Sequence, residues 1–206
     1  IGYSIGMLIK FYGVRGSIAS PGASTVRYGG NTSCVSVRSD DGTLFVMDAG
    51  TGIRQLGDEL SKEKSTDEIY LFFSHYHWDH IQGFPFFSPA YQPEQTIHLL
   101  AAHMPPDQTH SVLTQMTDPH FPVPSDRLEA KVDVLAIVNE GLIITNTRVT
   151  TRVLNHPGGG SAYRLDMLEG SMAFVTDNEL FPPNETNTSY QEWLEFLQGV
   201  DYLIHD

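Results

Sequence analysis

The sequence predicts an α/β fold, a four-layer αββα sandwich, on three observations. β-patterned runs gather in two groups, residues 7–80 and 131–206, and each group holds one clear amphipathic helix. Residues 83–130 between them follow neither period well and are rich in proline and aromatic side chains. The chain has 206 residues, 40% apolar and 18% charged, which suits one large domain with a sizeable core. Two sheets stacked face to face, with helices over both outer faces, accommodate that grouping.

Taken in order, residues 7–12 read as a first strand that leads into a Gly- and Ser-rich connection, 13–30. Strand-like runs at 33–39 and 43–48 flank Asp40-Asp41-Gly42, whose turn chemistry predicts a hairpin. Ile53, Leu56 and Leu60 share one helical face, so residues 52–62 read as an amphipathic helix. An apolar strand, 69–73, follows. Within 83–130, residues 97–101 read as a short strand and 108–117 as a helix. Phe84, Phe86, Phe87 and Tyr91 there form either core or a wall over a pocket. The β pattern returns at 132–138, 142–154, 162–168 and 171–176, with Glu169-Gly170 as the turn between the last two. Ser189 and Glu192 have capping-box spacing at the start of a helix that Gly199 stops, and 202–204 form the last strand. The domain is expected to span 7–206, with Met7 as its natural start and an end short of the natural one.

Composition narrows the partners. Lys plus Arg number 12 against 25 Asp plus Glu, a formal charge of −13. That balance argues against binding a long nucleic acid, which draws affinity from cationic neutralisation of phosphates. A small anionic substrate held by metal ions stays compatible with it. The single cysteine, Cys34, has no internal disulfide partner and reads as a small buried apolar residue. With no membrane-length apolar run and no secretory signal pattern, the expected location is the cytoplasm.

The chemistry is concentrated in LFFSHYHWDHIQGFP, residues 71–85. Side chains two apart on extended backbone point the same way, so His75 and His77 can share one metal ion. Asp79 and His80, past the turn, can serve a second. Imidazole together with carboxylate suits zinc, manganese or iron rather than calcium or magnesium. Two further candidate ligands end apolar strands downstream: His156, before Pro157-Gly158, and Asp177, after Val175-Thr176. Two cations sharing a hydroxide lower its pKa and neutralise charge on a phosphoryl or carbonyl oxygen.

HYHWDH, the later His156 and the Thr176-Asp177 pair resemble the metallo-β-lactamase superfamily, as do YGGNTSCVSV, DAGTG and NHPGG. The resemblance covers nearly the whole chain and implies the αββα sandwich with metals at one edge. It implies that His75, His77 and His156 hold the first of two divalent ions, zinc or manganese, that Asp79 and His80 hold the second, and that Asp177 bridges them. Asp48 is either an outer partner that orients a ligand histidine or the cap of the helix that begins near Thr51. The family also implies a homodimer, for which 83–130 is a candidate surface.

Absences choose the branch. No cysteine follows Cys34, against the common β-lactamase subclass, and His77 stands where the oxygen-reducing members carry glutamate. GNTS and the C-terminal YLIHD are similar to the phosphodiesterase branch that includes ribonuclease Z. There His205 would protonate the leaving oxygen, oriented by Asp206, with Asp79 the other catalytic residue. His156 and Asp177 are 21 positions apart and a hairpin fills the interval, which leaves no room for the tRNA-gripping arm of ribonuclease Z. The reading is therefore a phosphodiesterase for a small substrate, a cyclic nucleotide first, using a metal-bridging hydroxide. Tyr163 or Arg164 is a candidate phosphate contact. The alternatives are a thioester or lactone hydrolase, a ribonuclease Z-like nuclease and a non-catalytic metal-binding module. The family adds a last histidine to the second metal beyond the IHD strand, so that ion is expected to be the more labile.

Overall fold

The computed structural model describes residues 6–64, 67–103, 110–137 and 141–206. Its first sheet has the order β1-β2-β3-β4-β5-β6, and its second the order β11-β10-β9-β8-β7. In the first, β1 (Leu8–Gly13), β2 (Cys34–Arg38) and β3 (Leu44–Met47) pair antiparallel, whereas β4 (Ile69–Phe73), β5 (Thr96–Ala102) and β6 (Lys131–Ile137) continue from β3 in parallel. In the second, β7 (Leu142–Ile144), β8 (Thr147–Val153), β9 (Ser161–Asp166) and β10 (Ser171–Val175) run antiparallel, and β11 (Tyr202–His205) joins β10 in parallel.

Strict alternation builds the layers. Phe45, Met47, Phe72 and Leu100 of the first sheet meet Tyr163, Leu165, Met172 and Phe174 of the second in the intersheet core. Each large side chain fully buried there contributes on the order of 1.5–3 kcal/mol relative to exposure. The alternate residues Leu44, Val46, Leu71 and Phe73 face outward against α1 (Ile53–Glu63), which presents Ile53, Leu56 and Leu60. On the opposite outer face, α4 (Tyr190–Leu197) lays Trp193 and Phe196 over Ala162, Ala173 and Val175. Ser189 caps α4 in a reciprocal box with Glu192, as its spacing predicts. The four-layer sandwich is thus observed.

Three sequence expectations change. The run 142–154 is a hairpin rather than one strand, because Ile144 pairs with Thr147 across a two-residue turn with Thr145 at φ 49°. Ile and Thr are strand formers, so composition does not reveal the break. β6 joins the first sheet, since it pairs in parallel with β5. Of the helix expected at 108–117, residues 108–109 lie outside the described residues and the helix itself, α3, is Ser111–Thr114. Phe84 and Phe87 are core, while Phe86 is 58% exposed. No helix among the described residues is long and apolar enough to cross a membrane.

Candidate metal centre

Because β3 and β4 are parallel, their carboxyl ends open at one edge of the sheet, the usual place for a site in such a fold. The backbone locks the two exits together: Asp48 N–H donates to Phe72 O at 2.8 Å, Ala49 N–H to His80 O at 2.8 Å, and Gly83 N–H to Ala49 O at 2.8 Å. Past Phe73 the chain leaves the sheet, and the single turn α2 (Trp78–Ile81) redirects Asp79 and His80 toward the same point as His75 and His77.

Two groups of donor atoms result, each gathered within 4.8 Å: His75, His77 and His156, and His75, His80 and Asp177. His75 Nε2 is 2.9 Å from His77 Nδ1, and His156 Nε2 is 3.1 Å from the same atom. Donors tetrahedrally bound to zinc at 2.0–2.1 Å stand about 3.3 Å apart, so the three imidazoles fit a cation with little movement. His80 Nε2 lies 2.9 Å from Asp177 Oδ2 and 3.5 Å from Asp79 Oδ2. Five of the six sequence-predicted ligands thus fall in these two groups, and Asp79 stands beside His80.

Asp48 acts on the histidines and not on the helix, whose N-cap, Gly52, receives no side-chain cap. Fully buried, Asp48 has Oδ2 2.7 Å from His80 Nδ1, and the same oxygen accepts from Ser33 and Ser74 hydroxyls at 3.0 and 2.9 Å. Its Oδ1 accepts the Ser74 N–H at 2.8 Å. That network turns His80 Nε2 toward the cluster, the role an outer carboxylate plays for metal-binding imidazoles. Burial opposes charge on His80, but Asp48, Asp177 and Asp79 outweigh it and push its pKa up to about 10. Burial, aided by His80, lowers His75 to about 4. The hydrogen bond from His80 lowers Asp177.

Residues outside the motif hold the cluster. Ser17 N–H donates to Asp79 Oδ2 at 2.7 Å, fixing one carboxylate oxygen. Asn155 N–H donates to Asn178 Oδ1 at 3.0 Å, which ties the loop of His156 to that of Asp177. Gly160 has φ +149°, and a Cβ there would come 2.9 Å from Ser74 O and 3.1 Å from His75 Cβ. Of these positions, Asn155 lies in a stretch, NHPGG, that the sequence singles out, whereas Ser17 and Asn178 do not.

His205 and Asp206 sit at the exposed end of β11, beside the cluster. Asp206 Oδ1 accepts the Asp177 N–H at 2.8 Å. Both line a cavity of about 180 Å³ that Arg15, His80, Asp177 and the apolar Phe174 and Ile204 also line. Tyr163 and Arg164 do not reach it. The Tyr163 hydroxyl is buried on Phe73 O at 2.7 Å, and Arg164 pairs with Asp166 and with the carbonyls of Phe196 and Gln198. In β9, Tyr163 faces the intersheet core and Arg164 the outer face, because the period is two.

Facing β-sheets between helices, with imidazoles and carboxylates gathered at one edge, define a metal-dependent hydrolase. The chain belongs to the metallo-beta-lactamase superfamily, whose family model matches residues 27–202. Solved structures with the same fold include the metallo-beta-lactamase fold protein YhfI from Bacillus subtilis, 18% identical, with TM-score 0.66, covering 96% of this chain and 69% of that one. A diphosphatase of the PhnP family is 20% identical, with TM-score 0.64 and coverage of 96% and 72%. The short form of human tRNase Z is 16% identical, with TM-score 0.61 and coverage of 96% and 76%. A search of curated protein sequences finds no match.

Proposed function

We propose that this chain, working as one unit over residues 7–206, is a phosphodiesterase for a small phosphodiester, with a cyclic nucleotide as the first substrate to test. The observation that carries this reading is Arg15. It lines the cavity shared by His80 and Asp177, and its Nε donates to Ile18 O at 3.0 Å, which orients the side chain. No acid among the described residues pairs with it, although the chain carries a formal charge of −13. A fixed, unneutralised guanidinium suits an anionic phosphodiester, and a neutral thioester or lactone offers it no charge. The identities to the diphosphatase and the tRNase carry the fold alone, so the substrate class rests on Arg15.

In this reading His75, His77 and His156 would hold one divalent ion, Asp79 and His80 would hold a second, and Asp177 would be a ligand common to both. Bound there, two zinc or manganese ions would supply a nucleophilic oxygen near neutral pH and offset charge on the phosphoryl oxygens. Asp48 keeps His80 in register. Ser17, through its N–H, keeps Asp79 there. Arg15 binds the phosphate, and His205, lining the same cavity, donates the proton that the leaving alkoxide needs. At about 180 Å³ the cavity lies below the 300–1,000 Å³ of common small-molecule pockets, which favours a compact substrate.

The test is hydrolysis of 3′,5′-cyclic AMP, bis(p-nitrophenyl) phosphate and an uncharged thioester, phenyl thioacetate, by the zinc- or manganese-loaded chain and by Arg15→Ala. The expected result is metal-dependent phosphodiester cleavage that Arg15→Ala lowers about tenfold or more in kcat/KM. Faster thioester cleavage, indifferent to Arg15, would overturn the reading.

A further inference from the structure

Every Lys or Arg after Lys131, namely Arg148, Arg152 and Arg164, lies on one outer face of the second sheet. In β8, Val149 points into the intersheet core, so Arg148, Thr150 and Arg152 point away from it. Across the ladder they face Asp166, Arg164 and Ala162. α4 covers the Ala162 end and stops at Leu197, leaving a groove of about 450 Å³ beside Glu195 and Phe196. No residue of the metal cluster lines it.

The hydrogen-bond inventory of this groove is lopsided. Asp166 is already engaged, accepting from Arg164 Nε on both oxygens at 2.9 and 3.1 Å. Arg164 spends Nη1 on the carbonyls of Phe196 and Gln198, each at 2.8 Å, and Glu195 accepts from Gln191 at 3.2 Å. The donors that β8 turns outward, by contrast, lack hydrogen-bond acceptors among the described residues. Arg152 Nε is buried without a partner, and its guanidinium lies 6.0 Å from the centroid of the Phe196 ring. Neither the Arg148 guanidinium nor the Thr150 hydroxyl has a partner among the described residues. A buried orphan donor costs free energy unless something accepts from it. Two guanidiniums flanking a hydroxyl match a tetrahedral oxyanion, whose several oxygens accept from different directions.

We propose that the groove is a second binding site, for a small phosphate-bearing molecule held by Arg148, Thr150 and Arg152. The site is independent of the catalytic reading above. Its test is calorimetric titration of inorganic phosphate and of 5′-AMP into the full metal-loaded chain at low ionic strength, where charge-assisted contacts are least screened. Any binding at the metal centre is common to all variants. The expected result is a saturable component that Arg148→Gln and Arg152→Gln each weaken about tenfold or more, and that Arg54→Gln, the same charge change on α1, leaves intact. Because Arg152 packs on Phe196, the exposed Arg148 is the decisive position. Equal affinity in Arg148→Gln, equal weakening in Arg54→Gln, or no component at all would overturn the proposal. A single-stranded oligoribonucleotide bound through these arginines, with phosphate and AMP unbound, would overturn the small-molecule assignment.

Discussion

Asp48 Oδ2 lies 2.7 Å from His80 Nδ1, and both residues are buried, at 0% and 3% exposure. The pair joins the end of β3 to the ligand turn, so the side chain that aims His80 is 32 positions away in sequence. Asp48 adopts φ 61°, a left-handed conformation that aspartate tolerates better than most residues.

Asp48→Asn retains size but removes the charged acceptor. Outer partners of metal-binding histidines commonly account for 10- to 100-fold in metal affinity. The expected outcome is loss of about that much at the site containing His80, with the His75–His77–His156 site nearly unchanged. Metal titration with a competing chelator reads the two affinities separately, and equal weakening of both would count against the assignment.

Asp79→Ala is expected to abolish nearly all hydrolysis of the proposed phosphodiester substrate while leaving the fold intact. Asp79 lies at the surface end of α2, and its contacts are Ser17 N–H and His80. Circular dichroism and a steady-state assay on the same sample check both halves. Substantial retained turnover would sink the two-metal mechanism.

Gly160→Ala introduces a Cβ against Ser74 O, the Leu154 side chain and His75 Cβ, at a backbone angle that L-residues avoid. A loss of about 1–3 kcal/mol in urea unfolding is expected. Because His75 belongs to both donor groups, metal content should fall as well.

Asp41 controls the acid side of stability. Hydrogen bonds from Ser39, from Thr43 and, more weakly, from Asn146 hold its pKa well below the ordinary carboxylate value. A depressed pKa stabilises the fold above the unfolded value, near 4, and that contribution disappears as pH falls through the folded value. Asp41→Asn is therefore expected to lower Tm by about 2 °C at pH 7, with the gap from the parent closing below pH 4. Thermal melts between pH 2 and 7 measure it, and a gap that widens on acidification would contradict the sign.

The sequence by itself determined the class of fold, α1, the capping box of α4, and the six residues proposed as ligands. Those features are local: the period of apolar residues, an N-cap three positions from its partner, and a histidine string at a strand end. Tertiary structure alone decided that β6 belongs to the first sheet, that Asp48 serves His80 rather than α1, and that Arg164 faces away from the cavity while Arg15 lines it. Sheet membership depends on which strand supplies backbone partners, and the direction of a side chain depends on register, where a shift of one residue reverses the face. Ser17 and Asn178 escaped the sequence for the same reason: their partners are 62 and 23 positions distant. A polar residue in a loop has no signature until folding brings its acceptor within about 3 Å.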